Sequence, residues 1–295
     1  MNAGMDIYAP LESEHPLRPL YVLRYPGGKR WLSRPISFLS FAFGRYINLT
    51  YIDGRRDRIH FTPTFLIEPF AGGGVVGLSL LNNNLIERLV LVEKDPRVAA
   101  FWRAALHDSS FADRVQKFRC TRKNVKDVCA DPDSDPAFWT IVKNRCSVGG
   151  NLTGGLMKDV SSRWNGKVHA DALRQIRKLS RRIKFFERDG VEVLRKHAND
   201  PNAAAFVDPP YVVAGRGLYR EWEVDHSQVF EVLARWKGLW FMSYDNAPEI
   251  RKLLKKHRFV YREAPMRTNK GKVKMELIMR SVPPARLENP KWKKA

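Results

Sequence analysis

Short apolar segments alternate with helical ones along most of this chain, and that alternation leaves few folds open. "FLIEPFAGGGVVGLSLLNNN" (65–84) starts as an apolar strand, turns through glycines and continues as an apolar helix that stops near the asparagines. "RLVLVEKDPRVAAFWRAALHD" (88–108) repeats the plan, with Pro96 opening the helix. "AAAFVDPPY" (203–211) and "GLWFMSYDN" (238–246) read as two further buried strands. "DHSQVFEVLARWKG" (225–238) lies between them with helical spacing, and "APEIRKLLKKH" (247–257) follows as a helix. "KVKMELIM" (272–279) reads as a late strand, antiparallel to the rest. Strands alternating with helices imply an α/β fold with a mostly parallel sheet covered on both faces.

Charge narrows the partner. Lys plus Arg number 52 against 31 Asp plus Glu in 295 residues, a formal net charge of +21. Such a field favours a polyanion, and nucleic acid is the commonest one. A membrane partner is not expected, because no run approaches the ~20 apolar residues of a span. Three cysteines (Cys120, Cys129, Cys146) form an odd count without CxxC spacing. That argues against a disulfide framework and against a zinc site, so no metal is expected and a reducing, cytoplasmic compartment is. "MNAGMDIYAPLESEHPLRPL" lacks the layout of a signal peptide. Residues 1–19 and 282–295 read as tails, and a monomer is the expected state.

From about residue 104 the rhythm breaks. The stretch to 185 is rich in Arg, Lys, Asn and Gly, and "NRCSVGGNLTGGLMKDVSSRWNGK" (144–167) has no strong period. A structureless stretch of that length inside a compact domain suggests an insertion that binds a partner. "DALRQIRKLSRRIKFF" (171–186) then reads as a helix, with Leu173, Ile176 and Ile183 on its apolar face. Arg174, Arg177, Lys178 and Arg181 share one stripe, as a binding face or as a solvated one.

In open α/β sheets ligands bind at the carboxyl ends of strands. Three such ends carry chemistry here. The glycines of "EPFAGGG" let the backbone approach a ligand and open a helix whose N–H groups are free. The competing reading is a tight strand–helix turn. Glu93 is placed to accept hydrogen bonds from ribose hydroxyls; the alternative is a surface or capping acid, with Asp95 as the actual N-cap. Together the two ends suggest an adenosine-containing cofactor. The third end is "DPPY". An exocyclic amine on a purine is a poor nucleophile, because its lone pair is delocalised into the ring. Asp208 can accept one of its N–H groups and the Pro209 carbonyl another, while Pro209 and Pro210 fix the backbone. Tyr211 can stack on the base, a contact worth roughly 1–3 kcal/mol for single-stranded bases. A base in a duplex must be flipped out to reach such a site.

On these motifs the chain resembles the Dam-like DNA adenine methyltransferases, which use S-adenosylmethionine. The likeness runs from about residue 20 to 280. "YVLRYPGGKRWL" is similar to the family's GGK motif, "IEPFAGGGVVGLSLL" to its cofactor glycine motif, and "VEKDP" to its ribose-side acidic motif. "FERDGVEVL" takes the place of the next motif, and "DPPYVVAGRGLY" with "WFMSYDNAPEIRKLL" that of the catalytic half. The "MELIM" stretch matches the late strand. The resemblance implies a Rossmann-like methyltransferase domain split into 20–103 and 184–281, around a mainly helical or irregular target-recognition region at 104–183.

The roles it implies are specific. Asp208, Pro209, Pro210 and Tyr211 form the catalytic loop, with Lys29 near the donor's methionine end or the active-site loop. Tyr25, Gly27, Gly28 and Lys29 lie beside the cofactor. Glu68, Pro69, Phe70, Ala71, Gly72 and Gly74 line it, Glu93 and Lys94 stand on the ribose side, Asp189 and Gly190 on the adenine side, and Asp208 at the methyl. Asn144, Arg145, Lys158, Arg163 and Arg216 are the expected contacts to double-stranded DNA, with Arg122 and Lys123 on phosphates. The recognition region does not align with known GATC readers, which leaves the target sequence open. DNA methylation, including restriction–modification, is the setting implied. The alternatives are an RNA adenine, a cytosine amine or a protein side-chain amide as acceptor, and an inactive fold retained for DNA binding.

Overall fold

The computed structural model describes residues 19–24, 47–50, 56–59, 65–212, 215, 221, 223–267, 273–281 and 293–294. Strands β1 (Ile47–Thr50) and β2 (Arg56–Ile59) pair with each other as an antiparallel ribbon. The main sheet contains β3 (Phe65–Glu68), β4 (Arg88–Glu93), β5 (Ile183–Glu187), β6 (Ala203–Val207), β7 (Trp240–Asp245), β8 (Val260–Arg267), β9 (Val273–Arg280) and β10 (Lys293–Lys294). Their spatial order is β10-β8-β9-β7-β6-β3-β4-β5. Strands β3 to β7 run parallel, and β9 inserts antiparallel between β7 and β8. The chain starts at the centre with β3, steps outward through β4 and β5, and returns to β6 on the other flank. The strand order therefore reverses between β3 and β6, where a ligand crevice forms at the carboxyl ends. This is the Rossmann-like methyltransferase fold, as the sequence implies.

Alternation along the strands feeds two cores. Leu66, Leu89, Leu91, Ala204, Phe206, Phe241 and Ile278 face one layer. It is built from α1 (Val75–Asn82), α2 (Pro96–His107), α3 (Phe111–Lys117), α4 (Arg122–Ala130), α5 (Pro136–Cys146) and α6 (Gly166–Lys178). Ile67, Val90, Val92, Ala205, Val207 and Met242 face the other, with α7 (Gly190–His197), α8 (His226–Ala234) and α9 (Pro248–His257). Successive strand residues point to opposite faces, so a strand buried on both sides reads as one continuous apolar run.

Three expectations change. The stretch after residue 104 is not structureless: Val115, Val125, Ile141, Val142 and Ile176 put α3, α4, α5 and α6 into the first core. Short charged helices carry only a few apolar residues each, so their period is weak until they pack together. The expected domain boundary at 103/104 falls inside α2, whose Trp102 and Ala105 are both buried in that same core. The helix expected over 171–186 stops at Lys178, and after a tight turn Ile183 begins β5 as a parallel edge strand on β4. Pairing with β4 overrides a helical pattern that Ile183 happens to continue. The cationic stripe is also partly spent, since Arg174 pairs with Asp113 and Asp171.

Candidate active site

The first wall of the crevice is the corner after β3. Gly72 and Gly74 hold φ of 47° and 58°, left-handed values that disfavour a side chain. The turn is closed by the Gly74 amide donating to the Ala71 carbonyl at 2.7 Å and the Ala71 amide to Val92 at 2.9 Å. From below, the buried Trp102 indole N–H donates to the Gly72 carbonyl at 2.9 Å. The corner is thus built before any ligand arrives.

Two carboxylates flank it. Glu68 is buried at the end of β3 and accepts from the Gly77 amide in the first turns of α1. Burial pushes its carboxyl up to about 8, with the Gly77 N–H opposing and the Asp208 charge adding to the rise. Glu93, at the end of β4, is half-buried. One of its oxygens accepts from Gly72 at 2.9 Å, the other from Lys94 and Asp95. Burial raises its carboxyl to about 7 against those three N–H groups. Asp95, not Glu93, caps α2 by accepting from the Arg97 amide. Asp95 as the N-cap is what the alternative reading of Glu93 holds, and the Glu93 carboxylate itself braces the glycine corner and the turn into α2. Lys94 is exposed beside it and pairs with Glu221 at 3.6 Å.

The third wall comes from the start of α7. Asp189 is its N-cap, accepting at one oxygen from Val191 and Glu192. Gly190 lies flush against the corner, where an added β carbon would sit 2.0 Å from the Pro69 carbonyl oxygen. Phe70, next to it, packs against the second core.

The fourth wall follows β6. Register pairs Ile67 with Ala205, which brings Glu68 and the loop starting at Asp208 to the same edge of adjacent strands. Asp208 accepts from the buried Ser243 hydroxyl at 2.8 Å. The Pro209 ring is buried and Pro210 is half-buried. Tyr211 donates its phenol to Glu276 at 2.5 Å, and its ring stacks on Tyr244 at 6.2 Å between centroids. The Tyr244 hydroxyl meets His226 Nδ1 at 2.7 Å. Ser243, Tyr244, Glu276 and Trp102 are site residues that the sequence reading missed. For Ser243, Tyr244 and Glu276 the signal was position alone, since the polar residues of "FMSYD" and "MELIM" interrupt strands otherwise apolar; Trp102 reads only as one more apolar residue of its helix.

The structure brings Glu68, Pro69, Ala71, Gly72, Gly74, Glu93, Asp189, Gly190 and the Asp208–Tyr211 loop to one edge of the sheet. Tyr25, Gly27, Gly28, Lys29 and Arg216 lie outside the described residues. Of the expected DNA contacts, Arg122, Lys123, Lys158 and Arg163 are exposed, and Arg122 ties the 157–158 carbonyls to the start of α4. Asn144 and Arg145 are corrections. Asn144 is fully buried, accepts from the Arg24 amide, and donates to the Arg24 and Gly150 carbonyls. Arg145 is buried with its guanidinium 5.7 Å from the Tyr21 ring. Both serve the fold, since α5 turns that side of "NRC" inward against the residues before the GGK motif. No group of acidic, histidine or cysteine side chains suited to a metal occurs among the described residues, nor does a helix long and apolar enough to cross a membrane.

No family model and no curated protein matches the chain. Among solved structures it is similar to an RNA methyltransferase, so described provisionally, from Pyrococcus horikoshii, at 12% identity and a TM-score of 0.36, covering 85% of this chain and 82% of that one. It is also similar to a precorrin-6y C5,15-methyltransferase from Geobacter metallireducens, at 11% and 0.35, covering 74% and 78%. An rRNA methyltransferase from Streptomyces viridochromogenes follows, at 12% and 0.30, covering 74% and 76%. The strand order above, not these distant likenesses, carries the fold.

Proposed function

We propose that this protein is a Dam-like methyltransferase that moves a methyl group from S-adenosylmethionine to the exocyclic amine of an adenine flipped out of double-stranded DNA. The observation that carries the reading is the adjacency of two corners at the point where the strand order reverses. The glycine corner after β3 and the Asp-Pro-Pro-Tyr loop after β6 stand on neighbouring parallel strands. The residues fit the donor. The left-handed glycines and the flush Gly190 leave backbone, not side chain, against a nucleoside, and half-buried Glu93 offers an acceptor at the ribose position.

When bound, the donor supplies a sulfonium methyl whose C–S bond breaks, with the electron pair staying on sulfur, as the C–N bond forms. Asp208 and the Pro209 carbonyl accept the amine N–H groups and turn its lone pair toward that methyl. As positive charge develops on nitrogen, the Asp208 carboxylate stabilises it, and the surplus proton is lost to water. Ser243 fixes the Asp208 rotamer, so the acceptor is placed before the base arrives. Tyr211 stacks on the extruded ring. The net charge of +21 favours association with a polyanion such as duplex DNA.

Tritiated methyl transfer to DNA, RNA and protein, run side by side, tests the reading. Label is expected on adenine in duplex DNA. Asp208→Ala is expected to keep cofactor-induced thermal stabilisation and to lose transfer. Label on RNA or protein alone, or full transfer by Asp208→Ala, would overturn it.

A further inference from the structure

We propose that Glu276, on the antiparallel strand β9, is a positioning residue that presets the Tyr211 ring for stacking on the flipped base. The inference rests on the methyltransferase reading above and names what controls its base clamp. Because β9 runs against its neighbours, its beginning, not its end, lies at the carboxyl edge of the sheet. Register sets Glu276 opposite Asp245 of β7 and Ala264 of β8. Leu277, Ile278 and Met279 beyond it are apolar and fully buried. Glu276 is the polar exception at 1% exposure. A carboxylate so buried is costly unless it is hydrogen-bonded.

Its partner is the loop itself. The Tyr211 phenol donates to Glu276 Oε1 at 2.5 Å, at the short end of the O–H···O range. The Tyr244 ring covers one face of Tyr211, tilted by 29°. Tyr244 is itself fully buried and held through its hydroxyl by His226. The phenol end and one face of Tyr211 are therefore fixed, while the ring stays half-buried and keeps part of its surface at the crevice. A ring free to turn would have to be ordered as the base stacks on it. Glu276 removes that cost in advance. A methionine or leucine, the residue types that flank it, would fill the same strand position without holding the phenol.

The test uses the full chain with Glu276→Ala, Glu276→Gln, Tyr211→Phe and the double variant Tyr211→Phe/Glu276→Ala. Glu276→Ala and Tyr211→Phe are each expected to raise KM for a duplex substrate about three- to tenfold, the range for an immobilised side chain. Both should weaken the fluorescence rise of 2-aminopurine placed at the target base. The thermal shift given by S-adenosylmethionine should be unchanged in both. Glu276→Gln still accepts from the phenol and is expected to recover most of the loss. The double variant should be no worse than the worse single one. Additive losses, or equal losses in Gln and Ala, would overturn the proposal. A 3-fluorotyrosine at position 211 reads the ring without any acceptor. One sharp ¹⁹F line is expected for the wild type and Glu276→Gln, and a broadened line for Glu276→Ala. Identical lines in all three would overturn the proposal even if one variant folds poorly. Sharp and broadened lines as expected, in a chain that does not methylate DNA, would uphold the ring-setting role and sink the acceptor instead.

Discussion

The side-chain amide of Asn144 grips both backbone groups of Arg24, accepting from its N–H and donating to its C=O at 2.7 Å each. It adds a third bond, to the Gly150 carbonyl at 2.9 Å. Residues 120 positions apart are thereby locked together, and the segment that leads into "YPGGK" is pinned to the end of α5. Leu23, the residue before, lies against Gly73 of the glycine corner. Asn144→Ala strips three bonds inside the protein and leaves backbone groups unsatisfied. A loss of about 2–4 kcal/mol is expected, measurable by urea unfolding. The salt dependence of DNA binding by the folded fraction should not change, because Asn144 cannot reach a phosphate.

The exposed cations should behave in the opposite way. Lys123, Lys158 and Arg163 are at the surface, and none has an unfavourable burial to relieve. If they neutralise phosphates, each substitution by Ala releases one fewer set of counterions. The slope of log K against log salt should then shallow by about 0.9 per site. Stability should stay within about 0.5 kcal/mol of the wild type. Fluorescence anisotropy with a labelled duplex at several salt concentrations measures the slope. An unchanged slope for all three would place the duplex elsewhere.

The contrast between these two sets shows where sequence was legible and where it was not. β3, β4, β6 and β7 are runs buried on both faces, and their hydrophobic content announces them without any knowledge of neighbours. The turn residues Gly72, Gly74, Asp208 and Pro209 announce themselves too, because few residue types tolerate those backbone or chemical demands. Asn144 and Arg145 looked like nucleic-acid contacts because polar residues usually face water. Only the placement of α5 against Tyr21 and Arg24 shows that their partners lie inside the protein. Edge strand β5 was hidden for a related reason: it is largely exposed, and its pairing depends on β4, which ends at Glu93, far back along the chain. Glu276 is a single acid in an apolar strand, and its meaning appears only when Tyr211 is seen beside it.

Gly190 offers a sharper test of the cofactor cradle. A methyl group there would overlap the Pro69 carbonyl oxygen, a backbone atom that cannot swing aside. The start of α7 and the corner after β3 would have to separate. Gly190→Ala is expected to destabilise the fold by about 1–3 kcal/mol and to abolish the thermal shift given by S-adenosylmethionine. Leu254→Ala supplies the control. It opens a cavity in α9, in the second core, at a cost of about 2–5 kcal/mol, yet should keep the shift. Calorimetry with and without cofactor separates lost stability from lost binding. Equal shifts in the wild type and Gly190→Ala would remove this wall from the site.

Glu68 makes stability depend on pH in a direction opposite to that of most carboxylates. Its folded carboxyl titrates near 8 against an ordinary value of 4.5, because burial disfavours the charge. Between those values the folded state holds a proton that the unfolded state has released. The contribution of Glu68 is therefore fully present below about pH 4.5 and is lost as pH rises through about 8. Glu68→Gln has the shape of the protonated acid and can still accept from Gly77. It should match the wild type near pH 4.5 and become the more stable of the two as pH approaches 9. Asp108, Asp159 and Asp171 have lowered values, from hydrogen bonds to Ser110, Ser161 and Lys167 respectively. They titrate below the window, and they are common to both proteins, so they cancel in the difference. Urea melts of both at four or five pH values between 4.5 and 9 check the prediction. A difference that stays flat across the range would mean that Glu68 is already ionised in the folded protein, with the Gly77 amide overcoming its burial. Glu68→Gln should also leave the thermal shift by cofactor less sensitive to pH than in the wild type, since the charge on Glu68 changes beside Asp208 in the same interval.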